Sequence, residues 1–302
     1  MTPSETSSPA PAQTGLASLW MIGAILSFSL MAIAGRAVSF ELATWEIMTY
    51  RSLVGVIIVL GVAKAAGTLP QITRRNLGLH TARNLAHFTG QNLWFYAITV
   101  VPLAQVFALE FTSPLWVIML AAVFLGERLT VTKVMAGVMG FIGILIVVQP
   151  GSAPLSLGMG AAALAAVFFA STAIFTKFLT RTETITCILF YLTAMQLVMG
   201  LAVSLAMGGL ALPSAATAPW LALIGVAGLV AHTCLTKALS IAPASVVMPM
   251  DFIRLPAIAV VGMLIYGEPL LISVFAGAVL IFGANYINIL GDRRAIRPRG
   301  PA

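Results

Sequence analysis

Ten apolar runs, each about as long as a helix needs to cross a bilayer, follow one another along this chain with little polar sequence between them. They lie near 16–36, 44–65, 79–99, 102–125, 131–149, 157–179, 184–207, 219–241, 244–266 and 270–290. Turn chemistry marks the breaks: Gly67 to Pro70, Val101-Pro102, Gln149-Pro150-Gly151, Leu212-Pro213 and Ala242-Pro243. Such short connections force neighbouring spans to run antiparallel. Charged residues make up only 8% of the 302, against about a quarter in an ordinary soluble domain. That excludes a soluble globular enzyme, a nucleic-acid binder and a disordered chain.

The net charge of +7 has a membrane explanation. With ten spans both termini share a side, and all 16 basic residues except Arg36, Arg51 and Arg254 fall there. The positive-inside rule makes that side cytoplasmic. Residues 1–15, rich in Pro, Ser and Thr and without a basic n-region, read as a disordered cytoplasmic tail and not a cleavable signal. Residues 291–302 read as a basic cytoplasmic tail. Cys187 and Cys234 sit inside apolar runs and offer no metal spacing or disulfide framework. The expected setting is a bacterial-type inner membrane.

The chain also repeats itself at an offset of 141 residues. Phe28 matches Phe169, Arg36 matches Lys177, Tyr50 matches Tyr191, Pro102 matches Pro243, Glu110 matches Asp251, and Gly126-Glu127 matches Gly267-Glu268. Each half, 16–149 and 157–290, then holds five spans. Five is odd, so the second half enters the membrane inverted, an arrangement shared by many secondary transporters.

Two stretches carry a family resemblance. Pro102-Leu-Ala-Gln-Val-Phe-Ala-Leu-Glu-Phe-Thr-Ser-Pro114, followed by Phe124-Leu-Gly-Glu-Arg-Leu129, resembles the EamA family of the drug/metabolite transporter superfamily. A more divergent second copy runs from Ala242-Pro243-Ala-Ser-Val-Val to Tyr266-Gly-Glu-Pro269 and departs from the pattern in carrying Arg254. The resemblance implies an all-α integral membrane fold, with ten helices in two inverted EamA repeats around a central cavity. It also implies ATP-independent transport of small organic metabolites.

An ionised side chain at mid-membrane costs about 2.5–3.5 kcal/mol on insertion scales, so it should face a cavity or a partner. Glu110 and Asp251 qualify, either as a pair of acids lining the route and binding a cation, proton or amine, or as partners of a nearby helix end or basic side chain. Arg254 lies three residues after Asp251, on the same helix face. It is either that acid's ion partner or a site for a substrate carboxylate or phosphate. The third run carries a stripe, His80, Arg83, Asn84, His87, Gln91 and Trp94, at helical spacing. His87 and Gln91 are deep enough to meet a solute, with Trp94 and Tyr96 as rings to stack on it. Interhelical hydrogen bonding is the plainer account. Gln91 is matched by His232, which could titrate and couple transport to protons.

Arg36 and Lys177 end the first span of each half, as snorkelling side chains or as gates at opposite mouths. Glu46 is a poorly placed partner for Arg51. Glu127 and Glu268 suit helix N-termini, and Gly137, Gly140 and Gly143 suit close packing. There is no phosphate-binding GxxxxGK[ST], no HExxH and no Gly-x-Ser-x-Gly.

The expectation is a secondary carrier exporting an amino-acid-like or heteroaromatic metabolite by alternating access, with uptake of a vitamin or nucleoside-like cofactor as the alternative. An intramembrane enzyme is the alternative of another class. No cofactor, metal, nucleic acid or obligatory protein partner is expected; the partners are a small solute and the bilayer.

Overall fold

The computed structural model describes residues 11–113, 115–117, 119–120, 130–149, 156–241, 250–251 and 254–296. Among these there is no strand. Helices with described bounds are α1 Pro11–Val38, α2 Thr44–Ala65, α3 Leu77–Val100, α4 Leu103–Glu110, α5 Val131–Val148, α6 Leu157–Leu179, α7 Ile185–Ala206, α8 Ala218–Ile241, α9 Arg254–Tyr266 and α10 Ile272–Ile296. α1 begins at Pro11, inside the stretch expected to be a tail, because proline suits a first helical turn. α10 likewise continues through 291–296.

Among the described residues, five helical stretches are long and apolar enough to cross a bilayer: Gly15–Val38, Thr44–Ala65, Leu157–Thr176, Ile185–Ala206 and Ala218–Ala238. Shorter apolar helices include Val134–Val147 and Ile272–Ile287. α3 has 24 residues, but its polar stripe dilutes its apolar character. Exposure is inverted relative to a soluble protein. Leu19, Ile22, Leu26, Ile57, Val138 and Phe141 are exposed, while His80, Arg83, Asn84 and Gln196 are buried. That distribution fits a lipid surround and makes this a multi-pass membrane protein.

The fourth apolar run does not form one uninterrupted helix. α4 stops at Glu110, where the Thr112 hydroxyl donates to the Leu109 carbonyl at 2.6 Å and the Ser113 hydroxyl to the Glu110 carbonyl at 2.6 Å. Side chains that bond back to the main chain compete with the helical ladder. Pro114, the Phe124–Leu129 motif with Gly126-Glu127, and Pro243 lie outside the described residues.

Helices from the two halves interleave. α1 packs on α8, α3 on α6, α2 on α7, α4 on α9 and α5 on α10. Exchanging the halves turns α1 on α8 into α6 on α3 and returns the other three pairs to themselves. α2 and α7 meet through reciprocal contacts, Thr49 against Gly200 and Thr193 against Gly55. Of the three α5 glycines, Gly143 lies against the backbone of Gly277 and Gly140 against Leu115, whereas Gly137 faces open space. The packing expected of Gly137 is therefore absent.

Connections meet in two groups at opposite ends of α2, about 33 Å apart for 22 residues. At one end Glu41 accepts from the Ser214 amide at 2.6 Å and from the Thr217 hydroxyl, and Glu46 accepts from the amides of Ala43 and Ala211, both at 2.8 Å. The Thr217 hydroxyl, followed by the Ser214 amide, holds Glu41 below its ordinary pKa. At the other end, Asn76 and Thr73 donate to Glu183 at 2.6 and 3.1 Å. Gly67 closes α2 with φ +67°, letting the Thr68 amide reach the Ala63 carbonyl.

Candidate functional site

Two polar clusters lie inside the bundle. The first is anchored by Arg254, the first residue of α9. One of its terminal nitrogens, Nη2, donates to Glu110 Oε1 and to Asp251 Oδ2, both at 2.8 Å. The other Glu110 oxygen accepts from Trp94 Nε1 at 2.8 Å. Phe28, Phe107 and Phe111 put their rings 4.7–5.3 Å from the guanidinium carbon, close enough for cation–π attraction. Arg254 is only 3% exposed, and Asp251 Oδ1 and Arg254 Nε are buried without a hydrogen-bond partner among the described residues.

Both acids matched across the repeat thus meet on one guanidinium. The Asp251–Arg254 pair follows from spacing, whereas Glu110 lies 144 residues from Arg254 and could not be read from local periodicity. Two carboxylates around one guanidinium carry a net charge of −1 when both are ionised. The set suits a proton or a cationic group better than a second anion.

The second cluster grows from α3. All six residues of its stripe are buried. Trp94 belongs to the first cluster; the others gather residues from α2, α7 and α8. Arg83 donates to Asn84 Oδ1 at 3.1 Å, and Gln196 Nε2 donates to the same oxygen at 3.3 Å. Arg51 donates to Gln196 Oε1 at 3.3 Å. The His87 ring lies edge-on to His232, with centroids 5.1 Å apart. Phe169 packs beside His87 and Phe28 beside His232. Since Phe28 and Phe169 are matched residues, His232 takes His87 as its structural counterpart, one turn from the expected Gln91.

Tyr96 is exposed on the outer side of α3 and does not join these rings; two residues past Trp94, it sits about 200° around the helix. Arg51, which sequence reasoning tied loosely to Glu46, belongs wholly to the second cluster. Glu46 is already engaged by main-chain amides. Its charge and mid-span position were the available signal; its neighbours on α7 and α8 were not.

At one end of the bundle Arg36 pairs with Glu268, donates to the carbonyls of Ile98 and Val101, and lies 4.9 Å from the centre of the Tyr266 ring. Glu268 also accepts from the Leu103 amide at 2.8 Å. It therefore tethers α1 and the start of α4, and not the first turn of the helix that follows it. The side chain of Lys177, the matched residue, lies outside the described residues.

For metal chemistry, one trio stands out among the described residues. Ligand atoms of His80, Glu183 and Cys187 lie within 4.8 Å of one another. Thr73 and Asn76 already bond Glu183, and Cys187 lies 3.8 Å from the Thr73 carbonyl. This trio reads first as a clamp between loops.

Comparison with known proteins supplies the rest. The profile of the EamA-like transporter family matches residues 15–149 and again 156–290. A riboflavin transporter of Brucella anthropi is 34% identical over 72% of this chain and 81% of its own. An S-adenosylmethionine uptake transporter of Rickettsia felis is 26% identical over 92% and 93%. A pseudopaline exporter, CntI of Pseudomonas aeruginosa, is 29% identical over 85% and 90%. One crystal structure, at 18% identity and a TM-score of 0.63, superposes on 93% of this chain and 99% of its own, a likeness of fold.

Proposed function

The chain belongs to the EamA-like transporter family, and from that premise we propose that it takes up a small heteroaromatic metabolite across the bacterial inner membrane by alternating access. It is a small-molecule transporter, not an enzyme, like the relatives it matches. The proposed architecture is ten crossings in two inverted halves with both termini cytoplasmic. The helix pairs that map onto themselves, the reciprocal Phe–His contacts and the placement of basic residues support it.

The observation that carries the reading is the buried polar centre built by both halves. Trp94 and Glu110 come from the first half and Asp251 and Arg254 from the second. Ionisable side chains deep in a membrane bundle are costly and mark solute pathways or proton relays. Trp94 and the Phe28, Phe107 and Phe111 rings supply apolar faces beside them. Riboflavin and S-adenosylmethionine, named for two relatives, both contain a nitrogen heteroaromatic ring, which suits that lining.

In this conformation Arg36 and Glu268 latch one mouth. Opening requires that pair to part and, in the proposed scheme, an equivalent closure at the Lys177 end. Glu110, Asp251 and His232 are the groups through which protons would couple.

The test is flux in liposomes holding the purified protein, with labelled riboflavin and S-adenosylmethionine as probes, with and without a pH gradient. Inward flux of either probe, reduced at least about tenfold by Glu110→Gln in a folded protein, is the expected result. Normal flux in that variant removes Glu110 from the path. Movement only outward assigns the chain to export, as in the pseudopaline relative, and indifference to the pH gradient makes it an exchanger or facilitator.

A further inference from the structure

Arg51 and Arg83 are buried, at 6% and 4% exposure, yet no described carboxylate pairs with either. The described acids are all committed elsewhere. Glu110 and Asp251 hold Arg254, Glu268 holds Arg36, and Glu41, Glu46 and Glu183 accept from loop amides and polar side chains. Glu5, Glu127 and Asp292 lie outside the described side chains. What the two guanidiniums touch is neutral: Gln196 and the Met48 sulfur for Arg51, Asn84 and the Thr176 hydroxyl for Arg83.

The surroundings leave further polar atoms open. Arg51 Nε, both ring nitrogens of His87, His232 Nε2 and Gln91 Oε1 are buried without hydrogen-bond partners among the described residues. They belong to one patch. Arg83, His87 and Gln91 follow at four-residue steps on α3, the His87 and His232 rings touch, and Arg51 Nε lies against Gly228, one turn before His232 on α8. Beside Arg51 a cavity lined by Thr193, Gln196, Gly225 and Gly228 admits no more than about one water molecule. Two guanidiniums in a membrane interior, without a counter-charge, are far costlier than a paired one. Their planar forks match carboxylate and phosphate oxygens.

We infer that Arg51 and Arg83 form an oxyanion subsite, completed by His87, Gln196 and His232, that receives a carboxylate or phosphate carried with the solute. This rests on the carrier reading above and deepens it by naming the charge at one end of the solute. The oxyanion is either part of the solute or a free inorganic anion bound beside it.

The test uses the full chain in nanodiscs, with binding followed by flavin fluorescence for riboflavin and riboflavin 5′-phosphate and by thermal shift for inorganic phosphate. The expected result is at least about tenfold tighter binding of the phosphate ester than of riboflavin, with the preference lost in Arg51→Gln and Arg83→Gln. Arg83→Lys, which keeps the charge, guards against loss by misfolding and should keep part of the preference. If riboflavin binds and added inorganic phosphate tightens it in the native protein alone, the subsite stands and takes a free anion. If neither flavin binds but phosphate still raises the melting temperature of the native protein and not of Arg51→Gln, the subsite stands and the heteroaromatic reading falls. Binding and phosphate stabilisation unchanged in both folded glutamine variants overturns the inference.

Discussion

Arg254 and Arg51 are the same side chain, buried to nearly the same degree in one bundle, and their environments are opposite. Arg254 sits between two carboxylates and beneath three aromatic rings. Arg51 meets a glutamine, a methionine sulfur and the backbone of Gly228. In the first centre two carboxylates more than balance the guanidinium; in the second no described carboxylate meets it. A buried charge therefore has two distinct meanings in this fold. Arg254 ties an acid of each half to one guanidinium, whereas Arg51 is part of the proposed oxyanion subsite.

The largest expected effect comes from removing the joined charge. Arg254→Gln leaves Glu110 and Asp251 facing each other without a cation and should lower stability by about 3–5 kcal/mol, read as unfolding in detergent. An unchanged midpoint would mean the triad does not hold the bundle. Glu268→Gln should cost less, about 1–2 kcal/mol, because the Arg36 pair is lost while the amide oxygen can still accept from Leu103. The smallest effect sharpens the contrast most. Arg51→Met removes a charge no described carboxylate balances, so the midpoint should stay level or rise. A loss as large as that of Arg254→Gln would show that Arg51 has an internal counter-charge, and the comparison would dissolve.

Much of this was legible in the chain. Apolar runs and their turn residues mark helices because lipid demands internally bonded backbone. The polar stripe of α3 could be placed facing inward because the alternative is expensive. Spacing, however, reports only the face on which a residue lies, never the helix that will cover it. Hence Asp251 and Arg254 were pairable at three residues apart, but the Glu110 contact was not. Glu46 is poorly placed for Arg51 by spacing, and the loop amides of Ala43 and Ala211 take it. Gly137 shares its spacing with Gly140 and Gly143, and only the positions of Leu115 and α10 separate them.

The interleaving of the halves has a consequence for how the protein is made. Asn84 finds Gln196 only 112 residues later, roughly 6–22 s of synthesis at ordinary ribosomal speed. On the proposed ten-crossing topology α3 enters the membrane in that interval, before α6 and α7, which cover its polar side, have left the ribosome. The nascent N-terminal portion must therefore wait, shielding its histidines and arginines against α1, α2 or trapped water, until the C-terminal portion is delivered to relieve it.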